Sequence, residues 1–126
     1  MNEYLEYLNE VFELFGPITA RRMFGGYGIY HDGLMFALVA DGTLYLKADA
    51  ENSSYFEEEG LGPFEYDKNG KLVRMAYYQA PDEIMDDREQ AAVWARRSFE
   101  AALRGKSSRR GRRTGVASAK VRPPLQ

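Results

Sequence analysis

The sequence predicts an α+β fold in two layers, an antiparallel meander sheet with an added hairpin, packed by an N-terminal helix, a short middle helix and a long C-terminal helix. Two observations carry this. Asp32-Gly33, Asp41-Gly42 and Asn69-Gly70 each separate apolar runs, and such pairs are the strongest short-range hairpin signal. Apolar residues at helical spacing occupy both ends of the chain, an order that suits a two-layer sandwich better than a parallel sheet.

In chain order, NEYLEYLNEVFELFGP places Leu5, Leu8, Phe12 and Phe15 on one helical face and Glu3, Glu6 and Glu10 elsewhere, with Gly16 and Pro17 as a stop. Ile18 to Phe24 form a further strand, and Gly25-Gly26 turn or bulge into Tyr27. The meander follows as YGIY, LMFALVA and TLYLKA. Leu34 to Ala40 has no polar residue on either face, so it reads as a central strand covered on both sides. Thr43, Tyr45 and Lys47 alternate with Leu44 and Leu46 in a half-exposed neighbour. Asp49 is the expected N-cap of a short helix, ENSSYFEEE, ended by Gly60. PFEYD and KLVRMAYYQ then form the added hairpin, closed by Pro81. Asp86 or Asp87 caps the last helix, with Glu89 as a capping-box partner of Asp86. Ala91, Ala92, Ala95, Phe99 and Ala102 make a stripe that can lie close to a sheet, anchored by Trp94 and Leu103.

The 126 residues fit one domain with a real core. Cysteine is absent, which excludes disulfides, thiol nucleophiles and thiolate zinc sites, and His31 is the sole histidine. The chain lacks a run long enough for a membrane span, and Glu3 and Glu6 stand where a signal peptide would be basic, so a cytoplasmic location is expected. The net charge of -2 hides a division. Of 17 basic residues seven follow Arg104, leaving 10 against 19 acidic ones in residues 1–104, a body at -9. Residues 105–126 carry no acid, no aromatic residue and no apolar periodicity, and are expected as a disordered basic tail.

MFGGYGIYHDGLMFALVADGTLYLKAD, the hairpin FEYDKNGKLVRMAYYQAP, the Asp-rich start of the last helix and WARRSFEAALR together resemble the N-terminal domain of the TfoX/Sxy family, named for a regulator of competence-specific genes. The resemblance covers roughly residues 3–104. It implies an α+β fold, no catalytic activity and a regulatory role, with a transcription regulator such as the cyclic-AMP receptor protein as partner. Named members carry a second, helical C-terminal domain, whereas the 22 residues after Arg104 read as non-helical.

No catalytic, cofactor-binding or metal site is expected. Gly25, Gly26 and Gly28 do not have the spacing of a phosphate loop. Asp82, Glu83, Asp86 and Asp87 lack calcium-loop spacing and fit the positive end of a helix. His31 reads as the polar edge of an exposed hairpin tip. Arg21 and Arg22 could hold a carboxylate or phosphate, or pair with the acidic body. Tyr27, Tyr30, Tyr45, Tyr66, Tyr77 and Tyr78 all fall on strands and could form an aromatic face opposite the helices. The candidate partner surface is therefore Arg21, Arg22, Tyr27, Tyr30, Tyr45 and Lys47. Arg109, Arg110, Arg112 and Arg113 are the candidate nucleic-acid contacts, because clustered cations release counterions from phosphates. The function expected is a regulatory or adaptor domain acting by protein contact, the alternative being a protein that binds DNA or RNA nonspecifically through its tail. A homodimer is left open.

Overall fold

The computed structural model describes residues 3–23 and 25–118, with side chains to residue 107. Helix α1 (Glu3–Val11) buries Leu5, Leu8 and Val11. It is shorter than the sequence pattern suggests, because Phe12 to Gly16 leave the helix in tight turns, the amides of Phe15 and Gly16 both donating to the Phe12 carbonyl at 3.0 Å. Strands β1 (Thr19–Met23), β2 (Gly26–His31), β3 (Leu34–Ala40) and β4 (Thr43–Lys47) follow, then α2 (Ser53–Glu58), β5 (Pro63–Lys68), β6 (Lys71–Gln79), a 3-10 turn over Asp82–Asp86 and helix α3 (Arg88–Ser118). The six strands form one sheet in the order β1-β2-β3-β4-β6-β5, every neighbour antiparallel.

The three two-residue hairpins have the chemistry their sequences demand. Asp32 and Gly33 sit at φ 50° and 79°, Asp41 and Gly42 at 52° and 72°, and Asn69 and Gly70 at 54° and 81°. Positive φ at both central residues defines the primed turn whose twist matches the flanking strands. β4 then leaves the meander through α2, and β6 returns beside it, so β5 is pushed out to the edge.

One irregularity decides what each side of the sheet carries. Ile29 pairs with Ala37 but Tyr30 pairs with Met35, so Phe36 is an extra residue in β3. The bulge sends Phe36 and Ala37 to the same side, and both are fully buried there. Phe36 meets Phe12 and Phe15 at ring centroid distances of 5.6 and 5.1 Å. Burying a side chain of this size contributes about 1.5–3 kcal/mol.

The helices cover that one side. α3 lies against β3 and β4 through Ala91, Ala95, Ser98 and Ala102, all buried. Trp94 packs edge-on against Phe56 of α2 at 5.1 Å, and Phe56 stacks on Tyr78 of β6, also at 5.1 Å. Leu103, expected as an anchor, is 43% exposed and faces away from the core. Asp87 is the cap of α3, its Oδ1 accepting the Gln90 amide at 3.1 Å, while Asp86 belongs to the preceding 3-10 turn. The backbone of α3 continues to Ser118, into the segment the sequence assigns to a tail, and residues 119–126 lie outside the described residues.

Two ionic contacts fix α3, one at its first residue and one near its middle. Arg88 donates to Glu13 at 2.6 Å beyond α1. Arg104 holds Asp49 in a bidentate pair, Nε to Oδ2 at 2.7 Å and a terminal nitrogen to Oδ1 at 2.9 Å, with Glu51 at 3.3 Å. Asp49 is thus not the N-cap of α2. That position is Asn52, and Asp49 Oδ1 instead accepts the amides of Glu51 and Asn52 at 3.0 and 3.3 Å.

Candidate functional site

The side of the sheet away from the helices is assembled by strand alternation. Across β1 to β4 and β6, Arg21, Gly28, Leu38, Tyr45 and Gln79 oppose one another in a continuous row. Thr19, Tyr30 and Met35 form a second row, and Lys47 pairs with Tyr77 beside it. Among the described residues no helix crosses this face. Instead the sheet curls over it: Phe64 of edge strand β5 reaches past β6 to place its ring 4.9 Å from Tyr45 of β4. Phe64 and Met75 line a crevice of only about 20 Å³ together with Met23 and Leu38. The result is a second, smaller apolar cluster in which Leu38 and Tyr77 are only 4% and 5% exposed.

The glycines of the MFGGYG segment belong to this construction. A Cβ on Gly26 would sit 2.0 Å from the carbonyl oxygen of Val39, so β2 needs glycine there to lie against β3. A Cβ on Gly28 would point to the curled face, 2.9 Å from Met23 Sδ, 3.0 Å from Met35 Sδ and 3.1 Å from Tyr30. Gly28 is therefore the floor over which two methionines and a tyrosine close. Gly25 supplies positive φ, 76°, for the turn before β2.

The electrostatics of the curled face differ from those of the body. Strands β1, β2, β3, β4 and β6 contain no Asp or Glu. β5 carries Glu65 and Asp67, but both alternate with Phe64 and Tyr66 and point to the other side, where Glu65 accepts from Arg74 Nε at 2.9 Å. The cations lie on tyrosine rings: Arg21 is 4.7 Å from the Tyr30 centroid and Lys47 5.1 Å from that of Tyr77. Burial pushes the Tyr77 hydroxyl up to about 12, and neighbouring Tyr30 adds to the shift.

Of the six residues expected as a partner surface, Arg21, Tyr30, Tyr45 and Lys47 come together on this face. Arg22 and Tyr27 do not. They pair across β1 and β2 on the helix side, where Tyr27 packs against the core and Arg22 sits 5.9 Å over its ring. Tyr78 likewise faces the helices. The ion pairs anticipated for Arg21 and Arg22 are not formed among the described residues. His31 is also not an exposed tip. Its ring lies 4.5 Å from Phe15 and 4.9 Å from Phe99, and its Nδ1 donates to the Pro17 carbonyl at 2.7 Å, which fixes the proton on that nitrogen. Arg109, Arg110, Arg112 and Arg113 fall within α3, with side chains beyond the described ones.

Sequence reasoning missed Met23, Met35, Leu38, Phe64 and Met75. For Met35 and Leu38 the signal was a strand apolar on both faces, which shows that something covers the second face without showing that the sheet covers itself; Met23, Phe64 and Met75 lie in strands of mixed polarity that carry no such signal.

Elsewhere, a groove of about 380 Å³ between α2 and β6 is lined by Asp49, Ser53, Arg74 and Tyr78 among others. Its charged groups already have partners, Asp49 in Arg104 and Arg74 in Glu65. Among the described residues no group of three or more Asp, Glu or His could hold a metal ion, and no helix is long and apolar enough to cross a membrane.

A curled antiparallel sheet, backed by helices on one side and bearing an aromatic face without strand carboxylates on the other, defines a small α+β domain. The chain belongs to the TfoX N-terminal domain family, whose profile matches residues 10–102. It is 32% identical to Protein Sxy of Escherichia coli over 97 residues, 77% of this chain and 46% of that protein. It is 34% identical to the DNA transformation protein TfoX1 of Aliivibrio fischeri over 67 residues, 53% of this chain and 32% of the relative. The chain therefore spans less than half the length of these curated relatives and corresponds to a competence-regulator-like domain.

Proposed function

We propose that this chain is a non-enzymatic adaptor domain that regulates transcription through contact with another protein, in a programme of DNA transformation such as the name of its Aliivibrio relative indicates. The observation supporting this is the curled face. It gathers tyrosine, methionine and two cations into one surface, and protein-contact patches are enriched in aromatic residues, Met and Arg. The body at -9 favours a protein partner over a nucleic-acid backbone, which that charge repels. By family resemblance the partner is a transcription regulator, with the cyclic-AMP receptor protein first to be tried.

The test mixes purified cyclic-AMP receptor protein with the full chain, and with a variant whose Arg109, Arg110, Arg112 and Arg113 are serine, each with and without nuclease. Co-elution in all four mixtures is expected. Failure of the native chain to co-elute removes this partner. Co-elution that needs both the arginines and nucleic acid supports instead a second reading, suggested by the seven basic residues after Arg104, in which that segment binds nucleic acid nonspecifically. Its affinity would then fall with salt at a log-log slope of about -0.9 per phosphate neutralised.

A further inference from the structure

We propose that the outer edge of β1 takes up an extended segment of a protein partner as an added strand, with an apolar side chain seated between α1 and β1 and two carboxylates meeting Arg21 and Arg22. The inference rests on the adaptor reading and names the place and the chemistry of the contact. The backbone of β2 bonds its two neighbours alternately. His31 and Leu34 close the Asp32-Gly33 turn, so His31, Ile29 and Tyr27 bond toward β3, while Tyr30, Gly28 and Gly26 bond toward β1. Their partners in β1 are Thr19, Arg21 and Met23. The N–H and C=O groups of Ala20 and Arg22 therefore point outward, and among the described residues no bond to them is formed. An extended backbone supplies acceptors and donors at the same repeat. The other outer strand, β5, is blunted by Pro63, by the register shift after it and by Glu65 and Asp67, whereas β1 keeps all its pairs in register.

A seat adjoins this edge. Ile18 and Ala20 pack toward the helix-side core, and a pocket of about 180 Å³ opens between them and α1, lined by Leu5, Asn9, Ile18, Ala20 and Ile29 among others. It is smaller than the about 300–1,000 Å³ of small-molecule sites and suits one aliphatic side chain. In strand addition, main-chain bonds give affinity and such a pocket gives selectivity. Charge complementarity supplies the remainder of the pattern. In a body with 19 acidic residues against 10 basic, β1 contains no acid. Arg21 and Arg22 lie over the rings of Tyr30 and Tyr27 and meet no carboxylate among the described residues. An antiparallel partner sets successive residues opposite Arg22, Arg21 and Ala20, so its complementary order is acid, acid, apolar, and a parallel partner reads in reverse. The residue opposite Ala20 shares the helix side and enters the pocket. A second copy pairing Ala20 with Arg22 across a two-fold would set Arg21 against its own equivalent, a destabilising like-charge contact. A DNA phosphate chain accepts hydrogen bonds but donates none, which leaves the outward carbonyls unmatched.

The experiment selects peptides from a phage-displayed random library on the immobilised full chain. The best binder is then titrated into isotope-labelled full chain and followed by amide hydrogen exchange in NMR. Expected peptides carry two adjacent Asp or Glu residues flanked by Leu, Ile or Val. They protect the amides of Ala20 and Arg22 from exchange and leave those of Glu65 and Asp67, on the opposite edge, unchanged. Arg22→Glu should weaken binding at least about tenfold, and a peptide with Lys in place of the acid opposite that position should recover it. Arg96→Glu, on the exposed side of α3, should not change it. Should Arg22→Glu fold poorly, methylating the amide nitrogen of the peptide's apolar residue tests the ladder on the native chain and should abolish binding. Peptides without acids, a bound peptide that leaves Ala20 and Arg22 unprotected, or indifference to both Arg22→Glu and the N-methyl group would overturn the proposal and leave the adaptor reading standing on another surface. Enrichment of no peptide would overturn the proposal, and, together with a thymidine oligonucleotide that shifts these two amide signals, the adaptor reading as well. Self-association that protects the two amides without peptide would overturn the proposal in favour of a dimer.

Discussion

Replacing Gly26 or Gly28 by alanine adds one methyl group to neighbouring positions of the same strand, yet the structure predicts unequal costs. At Gly26 the new Cβ lies 2.0 Å from Val39 O, 3.1 Å from Val39 C and 3.3 Å from Ala40 Cα, all backbone atoms. An ordinary close carbon-to-oxygen contact is about 3.3 Å, so β2 and β3 must part locally by about 1 Å or more. Overpacking of this kind costs about 1–3 kcal/mol, and each ladder hydrogen bond lost as the strands separate about 0.5–1.5 kcal/mol more. The sum is about 2–5 kcal/mol, or a Tm lower by about 10–30 °C for a domain of this size. At Gly28 the atoms met first are thioether sulfurs, which move by bond rotation. The cost there should stay below about 1.5 kcal/mol, offset in part by the stiffer unfolded chain. Trp94, the one tryptophan, is buried against Phe56 and reports urea unfolding by fluorescence. A Gly26→Ala protein within about 1 kcal/mol of native, or one more stable than Gly28→Ala, would refute the packing account of these glycines.

Three further outcomes follow from single contacts. The Arg104 guanidinium beside Asp49 holds that carboxyl below its ordinary 3.8, so the pair's contribution is complete above that pH and disappears as pH falls through the lower folded value. The pair is about one-third exposed, and Asp49→Asn should cost about 1 kcal/mol at neutral pH and flatten the acid limb of a urea-midpoint profile; an unchanged acid limb would mean the contact is not populated. Tyr77, pushed up to about 12 from 10.0, stabilises fully below pH 10 and loses that contribution as pH approaches 12. Tyr77→Phe should therefore unfold less steeply with rising alkaline pH than the native chain, and equal slopes would contradict the burial of its hydroxyl. Ser98 is fully buried in α3 with no hydrogen-bond partner for Oγ among the described residues, so Ser98→Ala should leave the urea midpoint unchanged or raise stability by about 0.5–1 kcal/mol, and a clear loss would point to a hidden bond.

Strand positions and hairpin turns were legible because they depend on local chemistry: three Asp-Gly or Asn-Gly pairs and apolar alternation placed all six strands and the starts of the helices to within a few residues, whereas the last helix runs to Ser118, well past the end that the loss of apolar periodicity after Arg104 suggests. Register and curl were not. An extra residue at Phe36 leaves no trace in a strand whose every position is apolar, and it determines that Met35 and Leu38 face away from the helices while Phe36 and Ala37 face them. Long-range pairing was equally hidden. Asp49 before a helical segment reads as a cap, and only the arrival of Arg104 from 55 residues away gives it another task. The composition of the curled face was legible in part, since Arg21, Tyr30, Tyr45 and Lys47, which share it, were singled out together, but setting Arg22 and Tyr27 apart required knowing which parity of β1 and β2 meets the core.

The bulge in β3 means that the strand is written in two frames. Up to Met35 odd positions address the curled face. After the insertion Leu38 and the even positions do, and the odd ones answer to the helices. Alternation lets the strand serve two apolar clusters, and the one inserted residue switches which parity serves which. Its removal would not shorten β3 so much as exchange the contents of those clusters along half the strand, presenting helix-side residues to the curled face. The helix-packed core and the curled face are in this sense locked to one another by a single inserted amino acid, and neither can drift in sequence without the other.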